Sequence, residues 1–139
     1  MNDLARRWDL DAVRAGIGVC LILAIPLTLI AAFVDSGDAG LNAFFFFGAM
    51  FGFVLGSGCA AWLQRRGTPL SHGMVTAMVA YLGAQAVFIA IRLIGGNTVN
   101  WFSVFFTLSL VMLAGLFGGL LGSLLQARGV VPSSRRSQT

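Results

Sequence analysis

The chain has no lysine and no glutamate, one histidine and two cysteines, and only 10% of its residues are charged. Each shortage excludes something. A soluble domain carries roughly a quarter charged residues, so a water-soluble globule is excluded. A zinc site needs three or four N, S or O ligands, and His72, Cys20 and Cys59 stand too far apart in sequence to suggest one. No metal and no cofactor is expected. There is no C-x-x-C pair, so both cysteines read as reduced, buried thiols acting as small hydrophobes. No nucleophile turn, phosphate loop or carboxylate pair appears, and the chain is not expected to be an enzyme.

What is abundant is apolar. Hydrophobic residues make up 58% of the 139 positions. A bilayer core of ~30 Å takes about 20 helical residues to cross. Four apolar stretches are long enough, at about 12–34, 41–63, 73–94 and 101–126. The expectation is an all-α, integral membrane four-helix bundle over 1–128, followed by a disordered basic tail at 129–139. Asp9 or Asp11 would cap the first helix, and Pro26 should kink it. Ser71 would cap the third.

All nine basic residues are arginine. With four crossings, Arg6, Arg7, Arg14, Arg65, Arg66, Arg128, Arg135 and Arg136 fall on one side, and Arg92 alone on the other. Asp3, Asp9 and Asp11 share the first side; Asp35 and Asp38 share the second. The positive-inside rule then places both termini and the 64–72 loop in the cytoplasm. This placement favours a membrane surface, not a nucleic acid, as the partner of the positive charge. Arginine in place of lysine, with much alanine and glycine, points to a bacterial protein of the plasma (inner) membrane.

The stretch 41–63 carries Gly48, Gly52, Gly56 and Ala60, four residues apart. Residues at that spacing lie nearly above one another on a helix, so they cut a groove. In lipid, such a groove lets another backbone approach, and dispersion drives the pairing. The fourth helix repeats the device with Ala114, Gly118 and Gly122. The two are also related by sequence. A shift of 62 lays Met50–Gly67 on Met112–Gly129, matching Met50, Gly56, Leu63, Gln64, Arg66 and Gly67 with their counterparts. That match is read two ways: as a duplicated helical hairpin, or as convergence of helix ends on Leu, Arg and Gly. Glycines collect in the arginine-side half and phenylalanines in the other. Backbones should therefore be close near the arginines and held apart at the far side.

The third helix departs from the apolar pattern. Tyr81, Gln85 and Arg92 lie on one face. Gln85 falls near mid-membrane, where an amide without partners is costly. It should point inward, with Thr28, Ser57 or Ser109 as a partner. Arg92 should snorkel outward, near Asp35 or Asp38. The face is either interhelical glue or the lining of a cavity or path. Four short helices without an embedded Glu lack the proton-coupling carboxylate of small multidrug exporters. A single orientation likewise differs from dual-topology fluoride channels.

Two functions fit. The first is helix–helix association in the bilayer, as a homo-oligomer or an accessory subunit of a membrane complex, through glycine faces left over after bundle formation. The second is a small transporter or channel with a polar path along the third helix. A cavity reaching Gln85 favours the second; an exposed glycine groove favours the first.

Overall fold

The computed structural model describes residues 8–33, 38–130 and 132. The arm before Trp8, Asp35, and the tail from 133 onward lie outside the described residues. Four helices follow one another: α1 (Leu10–Phe33), α2 (Ala39–Leu63), α3 (Pro69–Ile94) and α4 (Trp101–Ala127). Each is long and apolar enough to cross a membrane. The shortest, at 24 residues, spans ~36 Å at 1.5 Å per residue.

The helix starts follow side-chain chemistry. Asp9 caps α1: its Oδ1 accepts from the Ala12 N–H at 3.3 Å. Asp38 caps α2 by accepting from Gly40 and Leu41, and Asn100 caps α4 by accepting from the Ser103 N–H. The third helix differs from expectation. It begins at Pro69, not near residue 73, with Thr68 at the cap position and no side-chain cap. Proline at the first helical position has its φ preset and lacks an N–H that would be unsatisfied there anyway, so it starts the helix two residues before Ser71. α1 runs through Pro26 as one helix.

α2 is the central element and touches all three others; α3 touches α1 and α4 as well. Both glycine grooves are consumed in this packing. A Cβ on Gly56 would collide with Cys20, and one on Gly16 would lie 2.6 Å from the Gly56 carbonyl. Gly52 closes on Leu23, and Gly48 on Leu27. The groove of α2 thus holds α1. A second small face of α2, formed by Ser57, Gly58 and Ala61, holds α4: a Cβ on Gly122 would lie 2.5 Å from the Gly58 carbonyl. On α4, Gly115 and Gly119 turn instead toward Gly73 and Leu70 of α3. The expectation of a spare glycine face meets this fact: α2 sits in the middle and needs small residues on two sides.

The 62-residue relation is carried into the turns but not the faces. Gly67 and Gly129, its related pair after α2 and α4, both have φ near +70° (72° and 71°), a conformation glycine adopts without steric cost. Gln64 and Gln126 bond to each other, Nε2 to Oε1 at 3.3 Å. The Gln126 Nε2 also lies 2.8 Å from the Trp62 carbonyl and 3.0 Å from that of Gln64, closing the end of α2. Yet the α2 groove faces α1, while its counterpart on α4 faces α2 and not α3. The two hairpins therefore pack differently.

At the arginine end the bundle is shut by polar contacts that sequence spacing did not reveal. His72 is fully buried. Its Nε2 accepts from the Asp9 N–H at 3.0 Å, and its Nδ1 lies 2.8 Å from the Thr68 carbonyl. The Trp8 ring stands 5.1 Å from the imidazole, centre to centre. The Asp9 carboxylate in turn accepts from the Arg65 N–H at 3.2 Å.

Candidate functional site

Above the glycine-packed half the helices diverge. Leu23 and Leu27 replace small side chains as spacers on α1, and phenylalanine replaces glycine along α2. The space left is a cavity of about 300 Å³ lined by all four helices. It begins at the depth of Leu21, Phe53 and Tyr81 and extends toward the far end, past Thr28, Gln85 and Phe88, to Asn42 and Ser103.

Its floor is closed. Phe53 and Tyr81 are buried and meet edge-on at 6.4 Å between ring centres. The Tyr81 hydroxyl donates to the Val104 carbonyl at 2.9 Å, tying α3 to α4. Below them Cys20, Ala77 and Val111 have no exposure at all. Beneath those the backbones meet through Gly16, Gly56, Gly73 and Gly118. The lower half also holds two buried hydroxyls, Ser57 Oγ and Thr76 Oγ1, without a hydrogen-bond partner among the described residues.

The walls differ in chemistry. α1 and α2 supply Leu21, Ile25, Phe45, Phe46, Met50 and Phe53, with Thr28 and Asn42 as the polar exceptions. α3 and α4 supply Tyr81, Gln85, Ser103 and Thr107 beside Phe88 and Val104. None of the described lining residues carries a charge. Thr28 donates to the Ala24 carbonyl of its own helix at 2.8 Å, which spends its proton on the backbone. Gln85 makes no side-chain hydrogen bond to a described residue. Its amide, with two N–H donors and one carbonyl acceptor, faces the cavity unspent.

Of the three residues on the polar face of α3, the structure brings Tyr81 and Gln85 together at this cavity. Arg92 is exposed near the end of α3 and does not line it. None of the expected partners of Gln85 bonds to it: Thr28 and Ser109 donate to their own helices, and Ser57 lies below the floor without a partner. A hydroxyl on a helix finds its own carbonyl three or four residues back more readily than a side chain across the bundle. Thr28 nevertheless shares the cavity with Gln85. Asn42, Ser103 and Thr107 were missed. Their signal was faint: isolated polar residues in apolar helices, at a depth that becomes common only when four helices are aligned.

Among the described residues no cluster of His, Cys or Asp could hold a metal ion. Comparison with protein-family models, curated proteins and solved structures finds no match.

Proposed function

We propose that this chain is a four-span membrane protein with both termini in the cytoplasm, and that it binds a small uncharged amphipathic molecule in the cavity and carries it across the bilayer. The carrying observation is the cavity itself: polar side chains from all four helices converge there, above a half sealed backbone to backbone. The arginine distribution supports the orientation and opens the cavity toward the side opposite the cytoplasm. The arginine and alanine usage supports the bacterial inner membrane. The lack of charge among the described lining residues favours a neutral ligand, because an ion there would lose its hydration with no counter-charge among them. The apolar wall of α1 and α2 favours a hydrocarbon or aromatic body. The Gln85 amide favours a group that both donates and accepts. Closure of the lower half makes this a carrier that must change shape, not an open channel.

Association with a second copy or another membrane protein was motivated by the glycine faces, and those are occupied by helices of the same chain. No independent observation on the outer surface favours it.

The test is access to the cavity. In a background with Cys20 and Cys59 replaced by alanine, single cysteines at Gln85 and Thr107 should react with a membrane-impermeant thiol reagent applied from the non-cytoplasmic side. Val111→Cys, one turn below Thr107, should not. During transport the Thr107 cysteine, in a chain that keeps the Gln85 amide, should also become reactive from the cytoplasm. If Gln85→Cys and Thr107→Cys stay silent while Thr98→Cys in the outer turn reacts, water does not reach the cavity and the carrier reading fails.

A further inference from the structure

The cytoplasmic end of the bundle carries a device that the cavity does not use. His72 is the one histidine of the chain and is fully buried. Both ring nitrogens are engaged. The Nε2 partner is the Asp9 N–H, which can only donate, so Nε2 is the bare nitrogen and Nδ1 bears the proton; Nδ1 lies 2.8 Å from the Thr68 carbonyl, which can only accept, and 3.1 Å from the Thr68 hydroxyl, which then accepts as well. This assignment follows from the partners alone. The arrangement fits the neutral imidazole in one tautomer and no other form.

We propose that His72 is a proton-operated latch, holding the start of α1 against α3 when neutral and releasing it when protonated. Protonation places a hydrogen on Nε2, which then faces the Asp9 N–H donor to donor. The bond is therefore present at high pH and lost as pH falls. Two further contacts hang on it. The Trp8 ring packs on the imidazole, and the Asp9 carboxylate both caps α1 at Ala12 and accepts from the Arg65 N–H. Losing the bond therefore removes the hold on the residue that caps α1 and bonds the Arg65 loop.

The surroundings supply no competing control. On the elements around His72, the other described charged or titratable groups are Asp9, Asp11, Arg14 and Cys20 at or on α1, Cys59 on α2, Arg65 and Arg66 in the loop, Tyr81 and Arg92 farther along α3, and Arg128 after α4. Asp11 and Arg14 pair with each other in solvent, with side chains 95% and 77% exposed. Arg65, Arg66 and Arg128 are exposed, and Cys59 is half-buried.

The device lies at the opposite end of the bundle from the cavity mouth, which gives it the place of a cytoplasmic gate. The latch itself does not depend on what the cavity binds, and its test needs no ligand. In purified protein labelled with ¹⁵N-histidine, the single ring should show the Nδ1–H tautomer at high pH. A second measurement follows Ala12→Cys, with Cys20 and Cys59 replaced by alanine. Ala12 is buried, and its labelling rate is normalised to that of Ser71→Cys, an exposed site. That ratio should rise about five- to tenfold between about pH 8 and pH 5, the population change expected when one or two hydrogen bonds are lost. In His72→Gln, whose amide can accept at Nε2's place and cannot be protonated there, the ratio should stay flat. An Nε2–H tautomer at high pH overturns the proposal, as does a flat ratio with His72 present or an equal rise in His72→Gln. Should His72→Gln fail to fold, the tautomer and the titration of the parent protein still decide.

Discussion

The same substitution, glycine to alanine, should have different effects at Gly118 and Gly18, although both lie within helices. A Cβ on Gly118 would collide with the Val54 carbonyl and sit 2.8 Å from both the Gly58 nitrogen and the Ser57 Cβ. Two of these three are backbone atoms, so no rotamer change relieves the clash. α2 and α4 must separate by ~1 Å to restore normal contact at about 3.5–4 Å. A gap of that size forfeits a quarter to a half of each dispersion contact along the seam; with ~20 atom pairs at ~0.15 kcal/mol each, the loss is ~1 kcal/mol or somewhat more. Strain adds to it, for a total of ~1–3 kcal/mol, the usual range for overpacking. Gly18 has nothing within 4 Å of its built Cβ. Alanine there removes no contact. Its higher helix propensity also counts for little, because a span in lipid remains helical even when the helices separate. Gly18→Ala should stay within ~0.5 kcal/mol of the parent, as surface changes do. The assay is thermal unfolding in mild detergent in a Cys59→Ala background, followed by thiol-reactive dye at the buried Cys20. Equal melting temperatures for Gly118→Ala and Gly18→Ala would refute the argument that backbone contact through glycine holds this bundle together.

Two further outcomes follow. Replacing Gln126 by leucine keeps the bulk but removes the amide at the end of α2, leaving the Trp62 and Gln64 carbonyls without it; unfolding in detergent should show a loss of ~1–3 kcal/mol, and an unchanged melting temperature would mean that water satisfies those carbonyls equally well. For orientation, Thr68→Cys should label only from the cytoplasmic side and Thr98→Cys only from the other; labelling of Thr68→Cys from outside intact cells would invert the topology.

The presence and extent of four apolar helices were legible from composition and run length, because a bilayer sets a minimum length that apolar residues must fill. Helix ends were legible where a capping side chain stood at the right place, as at Asp9, and shifted by a turn where Pro69 overrode Ser71. That glycine would collect on packed faces was legible from the four-residue spacing. Which helix each face meets was not. A groove states that a backbone comes close without naming it, and only the assembled bundle shows that α2 uses two small faces and leaves none over.

The candidate site divides in the same way. Gln85 announced itself, since an amide at mid-membrane must face inward, and Tyr81 came with it on the same face. Arg92 shared that helix face, yet it stands clear of the cavity, because periodicity gives direction around a helix but not the depth at which neighbouring helices part. Asn42, Ser103 and Thr107 join Gln85 only through tertiary alignment. The same holds for His72: 63 residues from Asp9 in sequence, it showed no partner until the start of α1 was laid across the start of α3. Local propensity and hydropathy act over a few turns of one helix, and they determined the spans, the caps and the small faces. Cavities and buried polar contacts depend on distances between helices, which side-chain bulk on several chain segments sets jointly, and these the tertiary structure alone decided.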